Sequence, residues 1–115
     1  MFQWAAFGKV KYDNTVFSRD ILISTDGDVY ERQADEEMKV TRKEVDASID
    51  ANTKVLLIGT GHYGVVHATP DAKAYLKGLK IELVEKETPE AVKYYNKRMS
   101  VRGRKPKITA IIHVA

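Results

Sequence analysis

The chain has no cysteine among its 115 residues, which removes disulfides, thiolate zinc sites and thiol nucleophiles together. Stability must then come from packing, and a cytoplasmic location is expected. No apolar run approaches the roughly 20 residues needed to cross a bilayer, so no membrane role is expected. Met1 to Val10 lacks a basic region followed by an apolar stretch, so no secretory leader is expected either. Catalytic motifs are also missing. No serine sits in G-x-S-x-G, no lysine in a P-loop, and there is no H-E-x-x-H. The carboxylates are numerous but scattered, and no spacing pairs two of them for acid/base work. Three histidines occur, and their placement does not converge on a metal. His62 and His67 fall on opposite faces of a strand and meet poorly on a helix. No metal or cofactor is therefore expected.

What is present describes an ordinary folded domain. Apolar residues make up 43% and charged residues 30%, outside the range of disordered chains. One domain over residues 1–115 is expected, with no linker or low-complexity stretch. The first third reads as antiparallel β. Phe7 to Tyr12 and Thr15 to Phe17 flank Asp13-Asn14, a pair that tolerates left-handed backbone. Ile21 to Ser24 and Val29 to Glu31 flank an Asp26-Gly27 hairpin signal. Gln33 to Lys39 is polar and reads as loop. Thr41 and Glu44 have capping-box spacing, and Val45 and Ile49 continue a helix over about 42–49.

The remainder alternates strand and helix. Val55-Leu56-Leu57-Ile58 is a continuous apolar run, as a strand covered on both faces requires. Ile81 to Val84 and Ile108 to Val114 are further strands. Only three prolines occur, and two follow threonine: Thr69-Pro70 and Thr88-Pro89. Threonine can cap a helix and proline suits its first position, so each pair predicts a helix start. Gly78 and Gly103 fall near the expected helix ends. Ala72, Tyr75, Leu76 and Leu79 line one helical face, and Ala91, Val92, Tyr95 and Met99 line the other. Both faces are read as core. The order strand, helix, strand, helix, strand implies parallel strands with crossover helices, with the hairpins extending that sheet or packing beside it. The expected fold class is α/β: a mixed sheet, with N-terminal hairpins followed by β-α-β-α-β.

The strand at 55–58 runs into Gly59-Thr60-Gly61-His62-Tyr63-Gly64, which matches G-x-G-x-x-G, with Glu82 and Glu85 further on. In a dinucleotide site the helix begins inside the glycine run, so its amides face the pyrophosphate. Here Val65 and Val66 favour extended chain, and the helix start is at Thr69-Pro70. The spacing argues against a dinucleotide. It leaves a tight structural turn, a pocket for a small anion, or a surface for a protein partner. His113 lies within the apolar strand Ala110-Ile111-Ile112-His113-Val114. It is either a satisfied core residue or a strand-end residue facing a pocket.

The net charge of +3 is concentrated near the C-terminal helix. Lys93, Lys97, Arg98, Arg102, Arg104, Lys105 and Lys107 follow one another with no acid between them. Lys97, Arg98, Arg102, Arg104 and Lys105 form a candidate basic patch for phosphates or an acidic partner. Cations at a helix C-terminus also favour its dipole without any partner. Nucleic-acid binding would need basic residues interleaved with exposed aromatics, and that pattern is weak.

Several segments together resemble the Mth-type domain family, a family of unknown function. They are Phe7-Gly8-Lys9-Val10, Asp20-Ile21-Leu22-Ile23 before Asp26-Gly27, and Leu57-Ile58-Gly59-Thr60-Gly61 with Tyr63-Gly64. Thr88-Pro89-Glu90-Ala91-Val92 with Tyr95-Asn96 follows, and Ala110 to Val114 closes the match. The resemblance implies a compact three-layer fold and brings no established activity, cofactor or catalytic residue. It adds interest to Gly59, Gly61, Thr88, Asn96 and His113. Relatives include an adipogenesis-associated protein and a mitochondrial respiratory complex I assembly factor, which makes an assembly role an analogy. Many relatives continue past the histidine to threonine and cysteine, whereas this sequence reads His113-Val114-Ala115. The expected function is non-enzymatic binding or assembly through residues 59–64 and neighbouring strand ends. The alternative is an enzyme or small-molecule binder with a pocket formed by the glycine loop, Thr88, Asn96 and His113.

Overall fold

The computed structural model describes residues 1–101, Gly103 and 106–115. Among these residues ten strands and three helices follow one another: β1 (Phe2–Ala6), β2 (Lys9–Tyr12), β3 (Thr15–Phe17), β4 (Ile21–Ile23), β5 (Val29–Glu31), β6 (Lys39–Val40), α1 (Arg42–Ser48), β7 (Val55–Gly59), β8 (His67–Ala68), α2 (Pro70–Gly78), β9 (Glu82–Lys86), α3 (Thr88–Met99) and β10 (Ile108–Ile112). The principal sheet has the order β5-β4-β10-β7-β9. β7 pairs in parallel with both β10 and β9, while β4 meets β10 antiparallel. The crossover reading therefore holds for the C-terminal strands, and the hairpin β4–β5 extends their sheet. The first three strands make a separate sheet of their own, β1-β2-β3. A short parallel ladder of β6 and β8 completes the set.

The central strands are buried on both faces because each face has its own cover. Alternate residues Leu57, Ala110 and Ile112 join Ala91, Val92 and Tyr95 of α3 and Phe2, Val10 and Tyr12 of the small sheet in one cluster. Leu56, Ile58 and Ile111 point the other way and join Val45 of α1 and Ala72 and Leu76 of α2. This period of two fits a three-layer α/β architecture. Each fully buried Leu or Ile contributes roughly 1.5–3 kcal/mol. Leu79, expected in the α2 core stripe, is 47% exposed.

Local signals are realised unevenly. Thr69 caps α2 by accepting the Ala72 amide at 3.2 Å. Gly78 does not end that helix in left-handed backbone. Lys80 does so (φ 59°), and the Ile81 amide closes the turn on the Leu76 carbonyl. Thr41 accepts the Glu44 amide at 3.2 Å, but the Glu44 carboxylate turns inward rather than back to Thr41. The Thr-Pro pattern predicts Thr88 as the cap of α3; the cap position belongs to Glu87, and Thr88 is fully buried inside the first turn.

A ring cluster ties the small sheet to α3. Phe2 sits edge-on to Tyr12 and Tyr95, with centroids 4.9 and 5.4 Å apart. The Tyr12 and Tyr95 hydroxyls hydrogen-bond each other at 3.2 Å. Burial, and then the bond to Tyr12, push the Tyr95 hydroxyl well above the usual phenolic range. Burial raises Tyr12 as well. Unfolded tyrosines release their protons near pH ~10, where the folded state keeps these two. The folded state then binds more protons, so stability falls as pH rises above that value. In urea unfolding along an alkaline pH series, Tyr95→Phe is expected to make this decline shallower. An unchanged slope would remove the buried hydroxyl pair as its cause.

Candidate functional site

β7 ends at Gly59, where the chain passes under α3. A Cβ there would lie 3.1 Å from Ile112 Cδ1 and 3.2 Å from Thr88 Oγ1. The loop that follows bonds mostly to its own protein. The Thr60 amide donates to the Lys86 carbonyl, Gly61 to Thr88 Oγ1, and His62 to the Ala115 carbonyl. Gly64 donates to the Gly61 carbonyl, and Val65 and Val66 both donate to that of Thr60. Among the described residues, only the Tyr63 amide of residues 60–66 has no such partner. A phosphate cradle requires free amides converging on the ligand. These amides are engaged, and α2 does not begin until Pro70. The loop is therefore built neither as a dinucleotide site nor as a backbone cradle for a small anion.

Thr88 fixes this loop to the end of β10. Its Oγ1 accepts from the Gly61 amide at 3.0 Å and donates to the His113 carbonyl at 2.6 Å. Gly61 adopts φ 96°, and a Cβ at that position would lie 2.7 Å from His113 Cδ2. Glycine is needed here for both the backbone angle and the close approach of the ring. The outer side of the loop is held by His67, whose ring nitrogens lie 2.7 Å from the Gly64 carbonyl and 3.2 Å from Glu85 Oε2. Glu85 also accepts the Ala68 amide at 2.8 Å. It anchors the loop rather than awaiting a ribose.

On this base stand exposed rings. Tyr63 is 77% and Phe7 62% exposed, with centroids 5.9 Å apart. Phe7 also sits edge-on to His62 at 5.8 Å. The turn between β1 and β2 is brought here by the Gly8 amide, which donates to the Val114 carbonyl at 2.7 Å. His62 Nδ1 is buried and has no hydrogen-bond partner among the described residues.

On the other side of the C-terminal segment lies a buried ionic chain that composition and spacing do not signal. His113 Nδ1 is 2.8 Å from Asp20 Oδ2. The same oxygen accepts from Arg32 Nη1 at 2.9 Å, while Asp20 Oδ1 accepts the Val114 amide. Arg32 grips Glu44 through Nε and Nη2, at 2.7 and 3.0 Å. Its remaining donors reach the carbonyls of Glu37 and Lys39 at 3.1 and 2.8 Å and fold the 33–39 segment around the guanidinium. The Arg32 and Glu44 side chains are 2% and 1% exposed. Burial pulls Arg32 down, but Glu44 and then Asp20 outweigh it and hold the guanidinium above its usual range. Both readings of His113 apply in part: its residue is buried, yet it lines an open cleft of about 630 Å³ with Ser18, Asp20, Arg32 and Gln33.

The alternative pocket of the glycine loop, Thr88, Asn96 and His113 is not assembled. Asn96 pairs with the backbone of Phe2, accepting its amide at 2.9 Å and donating to its carbonyl at 2.8 Å. It clamps β1 onto α3. Thr88 is buried with its hydroxyl engaged, and only His113 reaches a cleft. Of the basic patch, Lys97 and Arg98 occupy the last turn of α3. Arg98 donates to the Tyr94 hydroxyl at 2.8 Å. Arg102, Arg104 and Lys105 lie outside the described residues. Among the described residues, no three His, Asp or Glu side chains group as metal ligands, and no helix is long and apolar enough to cross a membrane.

Removing Arg32 would leave the Glu44 and Asp20 carboxylates without their counter-charge. Arg32→Ala is expected to cost roughly 3–5 kcal/mol in denaturant unfolding, the range for breaking a buried pair from one side. A loss within the about 0.5 kcal/mol typical of surface substitutions would show that the network does not hold the fold.

Comparison with known proteins places this architecture. Residues 2–113 match the family described as protein of unknown function (DUF498/DUF598). A conserved hypothetical protein, PH1505 from Pyrococcus horikoshii OT3, superposes with a TM-score of 0.86 at 30% identity, over 100% of this chain and 98% of that one. A structure called MT938 has a TM-score of 0.81 at 24% identity, covering 100% and 97%. A Bordetella pertussis protein described as an Mth938-like domain shares the fold with a TM-score of 0.72 at 15% identity, covering 99% and 85%. No curated protein matches the chain. On the match across nearly its whole length, the chain belongs to the DUF498/DUF598 family of unknown function, and it shares its fold with Mth938-like domains.

Proposed function

We propose that this is a non-enzymatic binding protein, and that the glycine loop with its adjacent strand ends is the surface it offers to a protein partner. The carrying observation is the pair of exposed rings, Phe7 and Tyr63, beside His62 on a loop whose amides are mostly engaged internally. Aromatic side chains dominate interface energetics because they contribute large area while losing little rotamer freedom. A backbone already fixed by Thr88, Lys86 and Ala115 lowers the ordering cost of association. A small anion is the weaker occupant, since the loop's amides already have acceptors. The family resemblance supports an assembly-type role by analogy of fold alone. The absence of cysteine supports a cytoplasmic setting.

The test is photocrosslinking in the source cells, with benzoylphenylalanine replacing Tyr63 and, as a control, replacing exposed Lys80 on the α2–β9 turn. A discrete adduct from position 63 is expected, absent from position 80 and lost when Phe7→Ser is added. Phe7→Ser itself should change stability by no more than about 0.5 kcal/mol, as for other surface positions. Equal labelling from both positions, or none from position 63, would refute the assignment of this surface.

A further inference from the structure

We propose that the cleft beside His113 is a separate binding site for a neutral, polyhydroxylated small molecule, with His113 Nε2 as the acceptor of a ligand hydroxyl. Burying charges is expensive, and a buried ion pair is weak evidence for stability on its own. Here the guanidinium of Arg32, both oxygens of Asp20 and both of Glu44 are matched by partners within the protein. The chain's remaining functional atom is His113 Nε2, which has no hydrogen-bond partner among the described residues and is not a buried orphan.

The tautomer follows from the partners. Asp20 accepts from Arg32 through Oδ2 and from the Val114 amide through Oδ1. A carboxylate opposite Nδ1 requires that nitrogen to carry the proton, which leaves a lone pair on Nε2 of the neutral ring. The missing Cβ of Gly61 leaves room for the ring at Cδ2, the carbon next to Nε2. Asp20 thus sets the tautomer and Gly61 leaves room for the ring, as supporting groups do for metal and catalytic histidines.

The cleft walls then choose the ligand class. Arg32 lines the cleft with its donors engaged, and exposed Arg19 is paired through Nη1 with Glu31 at 3.1 Å. Against these two guanidiniums the lining sets three carboxylates, Asp20, Glu31 and Glu37, so it carries no net positive charge to hold an anion. Ser18, Gln33 and Glu37 contribute neutral polar groups and an acceptor carboxylate. A ligand suited to these walls brings its own hydroxyl hydrogens and no negative charge. Glycine-loop contacts are not involved, because the lining residues come from 18–20, 31–37 and 113–115.

The experiment is long-range proton–nitrogen NMR of the histidine rings in mildly alkaline buffer, where an imidazole is neutral. The free protein is expected to show His113 with its proton on Nδ1. Titration with myo-inositol or D-glucose is expected to move the His113 Nε2 resonance, with His62 and His67 unmoved. His113→Asn keeps a side-chain N–H to donate to Asp20 but is too short to place an acceptor where Nε2 stood, and should weaken binding by about tenfold. An unchanged thermal midpoint in that variant shows that the loss is not unfolding. The proposal is overturned if the proton sits on Nε2, or if neither polyol moves the ring. It is equally overturned if only inorganic phosphate or ethanolamine moves the ring, or if His113→Asn binds as tightly as the parent.

Discussion

The Thr88 hydroxyl stands between two backbone groups from distant parts of the chain, and the arrangement of the strand ends depends on it. It receives the Gly61 amide and gives its proton to the His113 carbonyl. Both bonds are buried, where an unmade bond costs about 1–3 kcal/mol. Through them α3, the turn after β7 and the tail of β10 form one block. Gly61 can enter that block only because it has no Cβ and accepts a left-handed backbone. The outward consequence is a loop with little hydrogen-bonding capacity left in its backbone, so its side chains are what it presents.

Behind the same tail, Arg32 plays the corresponding part for the polar half of the molecule. Its guanidinium draws the carboxylates of Glu44 and Asp20 and the carbonyls of the 33–39 segment to a single point. A segment too polar to build a core is ordered in this way without one. The arrangement couples α1 to the end of β10, because Asp20 links Arg32 to both the His113 ring and the Val114 amide. The two constructions meet at His113, whose carbonyl serves the glycine loop and whose ring serves the ionic chain.

The parts legible in the sequence are those governed by local pattern. The apolar run of β7, the Asp26-Gly27 turn and the Thr69-Pro70 helix start each follow from residues within a few positions. The displacement of α2 from the glycine run is also legible, because Val65 and Val66 oppose helix. Thr88 shows where local pattern fails. It has the same Thr-Pro context as Thr69, yet its hydroxyl bonds across the fold rather than within its helix. Glu44 is readable only as half of a capping box, because its real partner, Arg32, lies outside the motif. Asn96 draws attention through resemblance, and its contact with Phe2 crosses nearly the whole chain. Pairings of that kind have no period or spacing to betray them. β1 escapes a sequence reading for a related reason: Gln3 and Trp4 are both exposed at an irregularity in its pairing with β2, so the strand does not alternate.

The central claim is that the glycine loop is an internally bonded platform rather than a ligand cradle. Amide hydrogen exchange of the free protein tests it most directly, residue by residue. Slow exchange is expected at Thr60, Gly61, His62, Gly64, Val65 and Val66, with protection like that of the β7 strand, and rapid exchange at Tyr63 alone. Rapid exchange throughout residues 60–66 would contradict it, because those amides would then be free to receive a ligand.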